Sequence, residues 1–271
     1  MSDEAVREYY GHGLERDRLA SGVGALELAR TQALLERYLP PAPATIADVG
    51  GGPGRYAVWL AERGYDVALV DPVPLHVEQA RAAARALTDP SRLTATVGDA
   101  RSLDMPNACA QAVLLLGPLY HLSDRGDRVL ALEEARRVCR PGGRVIAAAI
   151  SRFASTLDGM RAGYLDDPAF ASVAASDRRD GRHFNPTNDP AYFTTAYFHR
   201  PEELADECSA AGLVHEATVA VEGPAWLLPD LDARLADVER RRVLLDALAA
   251  IETEPTLLGA SAHLLTIARC P

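Results

Sequence analysis

The chain has 271 residues, 48% hydrophobic, 24% charged and 6% aromatic, which suits one large domain or a domain carrying a cap. Its formal net charge of −10 argues against a surface that grips nucleic acid by neutralising phosphates. All 28 residues counted as Lys or Arg are arginine, which excludes chemistry that needs a lysine amine, such as Schiff bases and Walker-type phosphate loops.

Residues 3–39 read as helical, with Leu26, Leu34, Leu35 and Leu39 near a 3.6 spacing, and Pro40–Pro43 ends the segment. Then the pattern alternates. The apolar run Ile46–Val49 meets a glycine cluster, followed by a helix that Gly64 closes. Val67–Val70 ends in Asp71, a helix follows over 74–87, and Leu93–Val97 ends in Gly98-Asp99. The run Ala112–Leu116 leads to a helix over 124–140, with Ser123 or Asp124 as its N-cap. A Pro141-Gly142-Gly143 turn opens Val145–Ile150. Short, nearly continuous apolar runs separated by helices predict an α/β fold with a doubly wound, mostly parallel sheet. Residues 41–151 and 201–271 are the expected core, with a final strand pair at Val214–Val221 and Leu264–Ala268. Two insertions interrupt it: residues 152–200, read as a substrate cap, and residues 222–255, with one helix over about 230–251.

The four cysteines are isolated, no His, Cys or Asp grouping has metal spacing, and no run approaches the roughly 18 apolar residues of a membrane span. The expectation is a cytoplasmic protein with no metal, nucleic-acid or membrane partner. The oligomeric state is not legible.

Chemistry is expected where the strands end, because ligands bind at the carboxyl edge of such sheets. The segment Asp48-Val49-Gly50-Gly51-Gly52-Pro53-Gly54 spaces its glycines G-x-G-x-G, and Arg55 stands where a dinucleotide fold wants a third small residue. An acid at Asp48 suits a cationic amino-acid ligand, or else hydrogen-bonds the loop itself. Asp71 closes the second strand, where an acid can accept from a ribose diol. Asp99 closes the third strand, within reach of an adenine amino group.

In this combination, with Leu116-Gly117 and Arg140-Pro141-Gly142-Gly143 following in order, residues 46–150 resemble the class I S-adenosylmethionine-dependent methyltransferases, and 201–270 fit that family's last helix and strand pair. The resemblance implies S-adenosyl-L-methionine as cofactor. Gly50, Gly52 and Gly54 would lie along its methionine part, Asp71 on the ribose, and Asp99 with Ala100 or Arg101 near adenine. Gly117 would lie by the sulfonium. It also implies that the N-terminal segment 1–40 closes over the cofactor, bringing Tyr10 or Arg18 to it. The activity implied is methyl transfer to a small-molecule acceptor. The rivals are a lyase or cyclase acting on the donor's aminobutyryl chain, a nucleotide-dependent oxidoreductase and a non-catalytic binding module.

In-line methyl transfer asks mainly for alignment and exclusion of water, with a base only if the acceptor must lose a proton. Tyr120 and His121 follow the fourth strand, beside the expected sulfonium: His121 is a candidate general base or else a helix-start histidine held by hydrogen bonds, and Tyr120 lines the pocket or simply packs. The stretch from Tyr192 to His199, with Tyr197 and His199, and Arg182 to Asn185 before it, is the part densest in aromatic and polar side chains. It is expected to wall the acceptor pocket or else to pack a small core of its own, and Trp226 to wall the same pocket or simply to pack. Ser261 and His263 share one face of an antiparallel last strand, which starts at the ligand-bearing edge. His12, His76 and His215 read as surface or loop residues.

Overall fold

The computed structural model describes residues 18–187 and 189–271. Strands β1 (Thr45–Val49), β2 (Asp66–Asp71), β3 (Leu93–Val97), β4 (Ala110–Leu115) and β5 (Cys139–Ser151) run parallel in the order β3-β2-β1-β4-β5. The order reverses between β1 and β4, which opens a crevice at their carboxyl ends. β9 (His263–Arg269) lies antiparallel between β5 and β8 (Val214–Ala220). The mostly parallel, doubly wound sheet expected from the apolar runs is therefore present. His263 pairs with Ile150, so the first residue of β9 sits at the carboxyl edge of the sheet.

The two-residue period of the strands builds two cores. Ile46, Leu69, Leu114 and Ile146 face a layer made by α1 (Gly22–Tyr38), α2 (Arg55–Glu62) and α3 (Pro74–Ala84). Their neighbours Ala47, Val70, Val113 and Val145 face α4 (Arg125–Val138), which Asp124 caps by accepting from the Gly126 N–H at 2.7 Å. Leucines such as Leu60, Leu114 and Leu132 are almost wholly buried, each stabilising the fold by roughly 1.5–3 kcal/mol.

The segment 152–200 forms α5 (Ala154–Ala162), α6 (Pro168–Asp180) and a short hairpin of β6 (Arg182–His183) and β7 (Ala196–His199). β5 outruns β4, and its Ile150 and Ser151 pair with Phe198 and His199 of β7. The segment is thus stitched into the sheet. Its polar and aromatic residues pack on one another: Asp177 accepts from Ser155 (2.6 Å) and meets His183 (2.9 Å), while the Tyr164, Phe170 and Tyr192 rings meet at 4.8–5.4 Å.

After α7 (Pro201–Ala210) and β8, the single helix expected over 230–251 is two, α8 (Leu231–Ala236) and α9 (Val238–Ile251). Asp237 is extended between them and accepts from the Arg240 N–H at 2.9 Å, the geometry of an N-cap that starts a new helix. Buried Glu252, just past α9, pairs with Arg30 and Arg37 of α1, and Arg30 also donates to the Val221 carbonyl at 3.0 Å. These contacts clamp α1 over the end of β8. Among the described residues no helix is long and apolar enough to cross a membrane.

Candidate active site

The turn after β1 touches the turn after β4. Gly50 has φ +70°, and a Cβ there would lie 2.7 Å from the Pro118 ring; a Cβ on Gly117 would lie 3.0 Å from the Gly50 carbonyl. Only residues without a side chain fit this close approach. Asp71 holds the same turn from β2. One of its oxygens accepts from the Gly52 N–H (2.9 Å), and the other accepts from the Val73 N–H (2.9 Å) and meets His76 Nδ1 (3.1 Å). Asp99, past β3, accepts from the backbone and guanidinium of Arg101, which also reaches Asp127 at 2.9 Å.

Asp48 is 1% exposed, and neither carboxylate oxygen has a hydrogen-bond partner among the described residues. Burial, and then the charge of Asp71, push its carboxyl up from 3.8 to about 7. The folded state therefore keeps a proton that the unfolded state has released. Stability of the ligand-free protein is expected to fall as pH rises from about 4 to about 7, and in Asp48→Asn that part of the fall should vanish. Urea unfolding across this range checks it; an equal slope in the variant counts against a buried, unpartnered acid.

Asp48, Gly50–Gly52, Asp71, His76, Asp99, Ala100 and Arg101 line one end of a cavity of about 160 Å3. Gly117 lines its middle. The cavity continues across the sheet past Tyr120 and His121, over Ala148 of β5 to His263 and Leu265 of β9, and α1 and α2 add Glu27, Thr31 and Tyr56. Gly54 does not line it; that glycine starts α2 with φ +90° and a Cβ there would press on Ala80 at 3.1 Å. Arg18 lines the cavity and pairs with Glu27 at 2.5 Å. Tyr10 lies outside the described residues.

The two histidines of the cavity have opposite character. Burial draws His121 down to about 4, so its imidazole is neutral at physiological pH. His263 is also disfavoured as a cation by burial, but Glu27 and Glu222 outweigh that and raise it to about 9. Its Nδ1 lies 2.6 Å from Glu222 and 3.9 Å from Glu27. Burial would raise Glu27, yet Arg18 and His263 hold it below its ordinary value.

Several sequence expectations place elsewhere. Tyr197 and His199 do not line the cavity: alternation along β7 sends Ala196 and Phe198 to the cavity-side core and the other two to the opposite face, against Arg128, Glu203 and Glu207. Tyr192 packs in the insertion's own core, Phe193 lies behind His121, Phe184 is exposed, and Trp226 donates to the Ala260 carbonyl at 2.9 Å. Ser261 is wholly buried and serves Glu222, not the cavity. His76, read as a surface residue, is 3% exposed and contacts Asp71. Sequence reasoning missed Glu27, Thr31, Tyr56 and Glu222, and it missed the burial of His76, for which its place at N3 of α3, five residues after Asp71, was a local signal.

Comparison with known proteins bears on the same segment. Residues 46–143 match the methyltransferase domain family. An uncharacterized methyltransferase of Mycobacterium tuberculosis is 33% identical over 128 residues, 46% of this chain and 49% of that protein. A ubiquinone/menaquinone biosynthesis C-methyltransferase of Acidiphilium cryptum is 32% identical over 144 residues, 52% of this chain and 55% of that protein. The chain thus spans about half the length of the curated relatives it matches. An S-adenosylmethionine-dependent methyltransferase structure from Methanosarcina mazei superposes with TM-score 0.59 at 17% identity, covering 87% of this chain and 96% of that one; this is a likeness of fold. Residues 46–143 thus match a methyltransferase domain, and the sheet built around them has the fold of S-adenosylmethionine-dependent methyltransferase structures.

Proposed function

We propose that the chain transfers a methyl group from S-adenosylmethionine to a small-molecule acceptor bound over β5 and β9. The observation that carries this reading is one continuous cavity with two chemically different ends. The donor end fits the family's cofactor: Asp48 is a buried acid with unused acceptor capacity for a cationic group, and the side-chain-free contact of Gly50 with Gly117 leaves the backbone bare. Asp71 and Asp99 are the acids for its sugar and base. When bound, the donor supplies a methyl carbon already activated by the sulfonium.

The protein's own part is to align and to exclude water. Tyr120 is 8% exposed and packs edge-on to His121 at 4.7 Å, walling the middle of the cavity. The Thr195 carbonyl lies 3.5 Å from His121 Nδ1 and the Phe193 ring 5.8 Å from the imidazole, so the segment before β7 backs this wall. His263 is the titratable group at the far end.

Titration calorimetry with S-adenosylmethionine and its demethylated product, followed by a mass-spectrometric search of a metabolite extract for a compound that gains one CH2 unit, tests the proposal. Release of methylthioadenosine without a methylated compound points instead to attack on the aminobutyryl chain. Absence of donor binding ends the reading.

A further inference from the structure

Glu222 and His263 form a built arrangement at the acceptor end. Glu222 follows β8, is 0% exposed, and three donors converge on it: the His263 backbone N–H (2.9 Å), the Ser261 hydroxyl (2.9 Å) and His263 Nδ1 (2.6 Å). The Ser261 oxygen is itself used by the N–H groups of Glu222 and Gly223, both at 3.1 Å, so its proton is committed to the carboxylate. Nδ1 faces both Glu222 and Glu27 and must carry a proton to satisfy them. That leaves Nε2 as the ring nitrogen with no partner among the described residues, on a residue that lines the cavity. The charges around it are Arg18 and Glu27 from the α1 side and Glu222 from the β8 side, with the Tyr56 hydroxyl from α2. The neighbouring walls, Ala148, Val221 and Leu265, are apolar.

We infer that His263 is an oxyanion subsite: the acceptor binds with an ionised oxygen against Nε2–H, and Glu222, fixed by Ser261, is the positioning residue that keeps the ring a cation. The acceptor is therefore a small molecule with an acidic oxygen, either a phenol or enol, or a carboxylic acid. Its proton leaves to solvent before or upon binding, because the imidazolium already carries both of its ring protons; one imidazolium and one oxyanion then face each other. Two carboxylates on the Nδ1 side exist to hold that charge in a place where burial opposes it. Glu27, Glu222 and His263 also present ligand atoms within 4.8 Å of one another, but a metal there would have to displace the proton on Nδ1 and the Arg18 pair.

This inference rests on reading the far end of the cavity as the acceptor's, and its test needs no donor, so the two fail separately. Equilibrium binding is measured with 4-nitrophenol, whose phenolate absorbs visibly, with 4-nitrobenzoate, and with 4-nitroanisole, which cannot ionise. At a pH below the phenol's own pKa, bound 4-nitrophenol is expected to show the phenolate band, and 4-nitroanisole to bind about tenfold more weakly or worse. The stronger of the two anions tells a phenol or enol acceptor from a carboxylic one. His263→Gln should weaken both anions about tenfold or more and leave 4-nitroanisole unchanged. Glu222→Gln keeps the ring but removes the charge that supports it, so the pH at which anion binding fades should move down; a purely structural role would not move it. Binding of the neutral phenol, equal affinity for the anisole, no binding of any probe, or zinc binding that His263→Gln abolishes each overturns the inference.

Discussion

Asp71→Ala is expected to lower affinity for S-adenosylmethionine about tenfold or more, and to destabilise the protein by about 2–4 kcal/mol. Both effects come from one carboxylate. In the ligand-free fold its oxygens already accept from Gly52 and Val73 and contact His76, and the residue is 4% exposed. Removing it leaves two backbone N–H groups without their acceptor, and the turn after β1 loses its tie to β2. The acid is thus both a prospective ribose partner and the strut that presets the glycine turn. Denaturant melts and calorimetry on the same variant separate the two roles. Asp71→Asn, which keeps one acceptor oxygen, should recover more stability than affinity. Unchanged affinity in Asp71→Ala would mean that the ribose does not sit there.

The second large effect lies on the other face of the sheet and should leave the donor untouched. Arg128 is 2% exposed, donates to Glu207 at 2.8–3.2 Å and to the carbonyls of Leu122 and Ser123, and lies 3.7 Å over the Tyr197 ring. His199 Nε2 approaches the same Glu207 at 3.3 Å. Arg128→Ala leaves a buried carboxylate uncompensated and is expected to cost about 3–5 kcal/mol of stability. Donor affinity, measured well below the melting transition, should change less than about twofold, because additivity holds for sites that share no partners. His199→Ala belongs to the same network and should lower stability, not turnover. A loss of turnover with stability intact would return His199 to the catalytic site.

What could be read from the chain divides along a physical line. The places of Asp48, Gly50, Gly52, Asp71 and Asp99 along the cavity were legible because each sits at a strand end fixed by local pattern, and the parallel sheet makes all strand ends neighbours. His263 was legible for a related reason: an antiparallel last strand must begin where the others finish. Glu222 was not, since it reaches His263 across 41 residues of chain that share no period. Glu27 and Thr31 were hidden in the same way, presented by a helix whose seat is set by Arg30, Arg37 and Glu252. The aromatic band from Tyr192 to Phe198 misled because composition alone does not separate a pocket wall from an insertion packing its own interior. Tyr197 and His199 fell on the wrong side of β7 by the parity of one strand.

The antiparallel entry of β9 has a consequence for how a chain of this fold can diversify. Residues that would hold the donor lie within 46–143, the stretch that matches the family domain, whereas Glu27, Val221, Glu222, His263 and Leu265 lie outside it, on both flanks. On the proposed reading, codons for acceptor preference and codons for donor retention are therefore separable. Changes in those flanking segments would, on the same reading, retune what is methylated while the donor residues of the matched domain stay as they are.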